Sequence, residues 1–172
     1  MTRRRESVWA QGLVAGAIGY LVVVVFYAAF NLATGRPLFL TAEVLGLALL
    51  GERSGASAAT GNPAPIAVYN GLHLVVFLAL GFASAWLVEE TERHPSIWYL
   101  AVSLALFVLF HIFGAVAGFA APVREAVPIW SVLVATLSAV TAMAIHLWKA
   151  HPALAGKVES VGDLEDRLEA GG

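Results

Sequence analysis

The chain contains no cysteine. Disulfides, thiolate metal sites, iron–sulfur clusters and thiol catalysis are therefore excluded, with no implication for compartment. Charge is scarce too: Asp, Glu, Lys and Arg make up 13% of the 172 residues, about half the share of a soluble domain. A formal net charge of −2 and a pI near 6.2 give no basis for nucleic-acid binding. The few charges avoid four long apolar runs, 8–30, 66–88, 97–120 and 127–148, none of which contains Asp, Glu, Lys or Arg. A proton relay or ion path across the full thickness of a membrane lacks the groups it would need. The HExxH, GxSxG, P-loop and dinucleotide-binding signatures are also missing. Intramembrane hydrolysis requires paired carboxylates, or a serine with a base, at one depth. The serines here sit among alanines, so the sequence leans away from an enzyme.

What the chain does have is apolar length. Hydrophobic residues make up 59% of it, with a mean hydropathy of +0.79, and each of the four runs exceeds the ~20 residues a helix needs to cross a bilayer. The sequence predicts an all-α protein, a four-helix transmembrane bundle occupying residues 1–152. Residues 153–172 form an acidic, amphipathic or disordered cytoplasmic tail. The first run is too long for a signal-peptide core and lacks a small-x-small cleavage site, so it reads as an uncleaved span with a basic anchor. Trp9, Tyr27, Trp98, Tyr99, Trp130 and Trp148 lie near span ends, where amphipathic rings favour the headgroup level.

Between spans one and two, Gly35-Arg36-Pro37 breaks the helix. A short interfacial helix is expected over 41–50, with Thr41 as its N-cap and Glu43 in its first turn, placed to pair with Arg36. Residues 52–65, rich in Gly, Ala, Ser and Pro, read as a mobile loop. The segment after span three, APVREAVP, reads as a tight polar turn. Four spans put both termini on one side with Arg3, Arg4, Arg5, Arg93, Lys149, Lys157 and Arg167. The other side holds Arg36, Arg53 and Arg124. The positive-inside rule then puts the termini in the cytoplasm and the interfacial helix outside a bacterial inner membrane.

Gly12, Gly16 and Gly19 share a helical face, as do Gly114 and Gly118 in span three. Such faces admit a close neighbour, and packing within this chain's own bundle is preferred to a homodimer seam. Ser131, Ala135, Ser138 and Ala142 suggest a similar stripe in span four. Span two, 66–88, is expected to be the central packing helix and carries a polar cluster, Tyr69, Asn70 and His73.

His73 lies about seven residues, ~10 Å, inside the external end of span two, and His111 about nine residues, ~13 Å, inside that of span three. At similar depth on antiparallel helices, two readings are open. In the leading one, the imidazoles bond to Tyr, Asn, Ser or backbone partners and join helices. In the other, His73 and His111 ligate a haem b, with Gly114 and Gly118 leaving room for a flat ligand. A copper or zinc site would need a third ligand that the sequence does not supply at that depth. His94 and His151, each followed by proline, read as solvated turn residues.

Gly35-Arg36-Pro37-Leu38-Phe39, with Thr41 and Leu45-Gly46, resembles a recurring feature of uncharacterised bacterial four-span membrane proteins. Tyr69 with His73, and Leu147-Trp148-Lys149 with His151-Pro152, are similar to segments of the same group, so the likeness covers roughly residues 10 to 153. The group has no assigned activity, and the resemblance implies architecture alone. The expected function is a non-enzymatic accessory or scaffolding subunit in the lipid bilayer, associating with another membrane protein or with itself. A haem b electron carrier is the alternative, and small-molecule permeation or binding the second alternative.

Overall fold

A computed structural model describes residues 7–94 and 118–151, and within them every regular element is helical. Helix α1 spans Val8–Ala33, α2 Leu40–Leu49, α3 Pro63–Arg93, α4 Ala121–Ala126 and α5 Ile129–Ala150, with a 3-10 turn at Gly55–Ala58. Three of these, α1, α3 (as Pro63–Thr91) and α5, are long and apolar enough to cross a membrane. The third expected span, 97–120, falls almost entirely outside the described residues, as does the tail 153–172.

Local chemistry sets the helix ends. The Ser7 hydroxyl accepts from the Ala10 amide (3.3 Å) and opens α1. At its other end the Thr34 hydroxyl donates back to Phe30 O (2.8 Å), and Gly35 turns the chain at φ +69°. Helix α3 starts earlier than the hydropathy suggests, because Asn62 caps the Ala64 amide (3.0 Å) and Pro63 suits a first helical position. It also ends later. Polar residues extend it to Arg93, helped by Arg93–Glu89 and His94–Glu90 contacts one turn apart.

Helix α1, not the expected span two, is the central element among the described residues. It runs antiparallel to both α3 and α5 and packs along each, whereas α3 and α5 barely touch. The reason is the absence of side chains on its face. A Cβ on Gly16 would lie 2.6 Å from Phe77 O and 2.8 Å from Leu78 Cα, and one on Gly12 would lie 2.8 Å from Phe82 Cα. Across the seam, a Cβ on Gly81 would sit 2.3 Å from Gly12 O and 2.5 Å from Gly16 N. Backbone meets backbone there, and dispersion replaces the hydrophobic drive that lipid cannot supply. Gly19 abuts Phe77 and Met143, at the junction with both neighbours. Gly118 faces open space, with nothing within 4 Å of an added Cβ, and Gly114 lies outside the described residues.

On α5 the buried stripe is Ser131, Ala135, Ala139, Met143 and Leu147. Ser138, assigned to that stripe from sequence, is exposed, because a four-residue step follows the seam with α1 more closely than the mixed spacing did. The outward faces of the long helices are apolar: Leu21, Val25, Leu72, Val75, Leu137 and Val140 are all exposed. Large apolar groups outside and small or polar groups inside invert the pattern of a water-soluble bundle.

One end of the bundle is covered. Val44 and Leu45 of α2 form a small core with Val123, Ala126 and Val127, so α4 is an apolar prop rather than a polar turn. Gly46 lets α2 press on the start of α3, where a Cβ would come within 2.0 Å of Pro65 O. The supposedly mobile loop 52–65 is held as well. Gly55, at φ +64°, nests against Pro122, and the Glu52 carboxylate accepts from the Ser54 hydroxyl (2.7 Å) and from the Arg53 and Ser54 amides. At the opposite end, where α1 begins and α3 and α5 finish, Trp9, Trp86 and Trp148 are exposed together.

Candidate functional site

Polar side chains concentrate beneath the cap. Tyr20, Tyr27 and Asn31 share a face of α1 at i, i+7 and i+11, and Tyr69, Asn70 and His73 occupy one and a half turns of α3. Asn31 is 1% exposed and ties α1 to the segment ahead of α2. Its Nδ2 donates to Leu38 O (3.0 Å), and its Oδ1 accepts from the Thr41 hydroxyl (3.0 Å). Thr41 therefore does not cap α2 as expected. Asn31 takes its hydroxyl first, and α2 begins one residue earlier with no side-chain cap at Phe39.

The expected Glu43–Arg36 pair does not form. Glu43 is 4% exposed, and its Oε1 accepts from the amides of Thr60 (2.8 Å), Gly61 (2.9 Å) and Asn62 (3.0 Å), with Gly61 also reaching Oε2 (3.1 Å). Three successive amides converging ahead of a helix N-terminus make a strong anion cradle. An internal carboxylate fills it. Arg36 turns the other way: its guanidinium donates to Ala126 O (3.0 Å) and lies over the Phe30 ring at 5.8 Å, joining the cap to α4 and α1.

Deeper in, the Tyr20 hydroxyl donates to Asn70 Oδ1 (3.2 Å) and Asn70 Nδ2 to Ile66 O (2.8 Å). The Ser131 hydroxyl proton goes to Pro128 O (2.7 Å), so at 3.4 Å Tyr27 is the donor to Ser131 Oγ. His73 stands between rings. Tyr69 stacks on it at 4.9 Å and 25°, Phe77 meets it edge-on at 5.0 Å, and Tyr20 tilts over it at 6.4 Å. Its Nε2 is buried with no hydrogen-bond partner among the described residues, and His146 Nε2 on α5 is in the same state.

A cavity of about 30 Å³ lies here, lined by Tyr27, Asn31, Thr41, Tyr69, Asn70 and His73 together with apolar groups of α1 and α2. The space between α1, α2 and His73 is sized for water, and His111, the other half of the haem pairing, lies outside the described residues. Among the described residues no three His, Asp or Glu side chains converge as metal ligands would.

At the opposite end the sequence reading of His151 is corrected. It is 6% exposed, not solvated, and its Nε2 lies 2.8 Å from Gln11 Oε1. The contact bridges 140 positions of sequence, so local proline context could not reveal it. His94 is exposed as expected and sits 2.8 Å from Glu90. The sequence reading passed over Tyr20, Gly55 and Gln11, and gave Gly46 no packing role. The i, i+7, i+11 spacing of Tyr20, Tyr27 and Asn31 was the available signal for the first. No family model matches the chain, and no curated protein or solved structure matches it either.

Proposed function

We propose that this chain is a non-enzymatic integral membrane protein, an accessory or scaffolding subunit of the bacterial cytoplasmic membrane. In this reading it has four spans of the kind its resemblance implies, both termini cytoplasmic and the α2 cap outside. The observation that carries the reading is how its buried polar groups are used. Asn31, Thr41, Glu43 and Ser131 beneath the cap, and Gln11 with His151 at the other end, all bond other parts of the chain. Polar groups committed to architecture hold a rigid body whose apolar flanks meet lipid or another membrane protein. An enzyme would keep several such groups free for substrate, and here only the Nε2 atoms of His73 and His146 are buried without a partner among the described residues.

Crosslinking in native membranes, followed by purification in mild detergent with and without residues 153–172, tests this. The reading expects a complex of fixed stoichiometry, larger than the 18.1 kDa chain. A chain that remains a lone monomer in its own membrane, with or without the tail, contradicts it.

A further inference from the structure

We propose that the cavity beneath the cap is a water site, and that a bound water hydrogen-bonds His73 Nε2 and links α1, the α2 segment and α3. Two independent observations meet there. The first is the cavity: about 30 Å³, against the ~10–15 Å³ a single water requires. It admits one water, with room for a second.

The second observation is His73 Nε2, which is buried and has no hydrogen-bond partner among the described residues. A buried polar atom without a protein partner is uncommon and calls for a specific account, an ordered water being among the recognised ones. Leaving it bare costs roughly 1–3 kcal/mol. The alternative of a dry cavity applies to wholly apolar walls, and these combine apolar groups with polar ones. Tyr27, Asn31, Thr41, Tyr69 and Asn70 all contribute to the lining, so the water finds partners beyond the imidazole. The ring itself cannot swing away to find another partner, because Tyr69 and Phe77 flank it at 4.9 and 5.0 Å.

The chemistry also sets the occupant's class. Asn31 and Asn70 have their carbonyl oxygens engaged by Thr41 and Tyr20, and Tyr27 donates to Ser131. The guest must be small and neutral, and must pair with Nε2 whichever tautomer the ring holds. Water meets all three conditions. The site goes beyond the scaffolding reading and does not depend on it.

The test uses the full chain in lipid nanodiscs with isotope-labelled histidine, and reads magnetisation transfer from water to imidazole by solid-state NMR. His73→Gln assigns the His73 signal among the five histidines. Expected is transfer from water to the His73 ring, lost in Ala28→Val, which adds two methyl groups to the cavity wall. His73→Phe is the second variant should Ala28→Val fail to fold. In it the water transfer to neighbouring Asn70 and Thr41 labels should fall away. Absence of transfer to the wild-type ring overturns the proposal, as does transfer unchanged by filling the cavity. A stoichiometric organic molecule that co-purifies and contacts the ring also overturns it.

Discussion

The seam between α1 and α3 and the cap over the end of the bundle are closed by opposite means. In the seam, contact comes from what is missing: Gly12, Gly16 and Gly81 bring two backbones together, and the polar bond from Tyr20 to Asn70 joins the same helices only nearer the cap. At the cap, contact comes from polar groups, Asn31 to Thr41, Glu43 to three amides and Arg36 to a carbonyl. The difference follows from depth. Within the hydrocarbon, association depends on packing and cannot tolerate a gap or an extra atom. Near the surface, irregular backbone must find partners, and side chains from α1 and α2 supply them. A seam of this kind fails abruptly when overfilled, while a cap loses bonds one at a time.

The largest effect should come from overfilling the seam. Gly81→Val puts atoms where Gly12 O and Gly16 N already lie, and neither can move without separating the helices. A loss of about 3 kcal/mol is expected, read from unfolding in mixed micelles. A loss under about 1 kcal/mol would mean that the helices do not cross so closely. Next comes the cap. Glu43→Ala leaves three amides without their acceptor and should cost about 2 kcal/mol, accompanied by faster proteolysis within 52–62. Equal stability with an unchanged cleavage pattern would detach Glu43 from the cap's integrity.

A smaller effect separates glycines that pack from glycines that do not. Gly71 is on α3 but has nothing within 4 Å of an added Cβ. Gly71→Ala should therefore be neutral or stabilise by up to about 0.5–1 kcal/mol, and a clear loss would break the distinction from Gly81. The smallest effect belongs to Glu52. The Ser54 hydroxyl, then the Ser54 and Arg53 amides, hold its carboxyl below the ordinary glutamate value. A depressed folded value means the contribution is complete above the ordinary carboxylate range and is lost as pH falls through the folded value. Protection of the Arg53 and Ser54 amides, measured against their intrinsic exchange rates, should fall on acidification, and Glu52→Gln should flatten that fall.

The apolar stretches of α1 and α5 were legible almost to the residue, since long uncharged runs have few competing explanations. The glycine face of α1 was legible as well, from spacing alone. Its partner on α3 was not, because a helix face can be read from sequence but the choice of neighbour cannot. Span two looked central on account of its polar cluster, yet the small-residue face on α1 decided which helix lies between the others. The cap was the least legible part. Thr41 and Glu43 were assigned local duties, as cap and ion-pair partner, but each found a better acceptor or donor elsewhere in the chain. His73 was singled out with Tyr69 and Asn70 from their spacing. Its flanking rings, Tyr69 and Phe77, lie one turn away on its own helix, whereas the water-sized cavity beside it is built with α1 and α2 and could not be read from that helix.

Central to the proposed function is a bundle that crosses the membrane with its cap outside and Trp9, Trp86 and Trp148 inside. Its most direct test uses the lack of native cysteine. Ser57→Cys, on the exposed 3-10 turn of the cap, and Ser7→Cys, at the exposed start of α1, are each treated in intact cells with a membrane-impermeant maleimide. The account predicts labelling of Ser57→Cys from outside and of Ser7→Cys only after permeabilisation. Labelling of both from one side, or the reverse order, contradicts it.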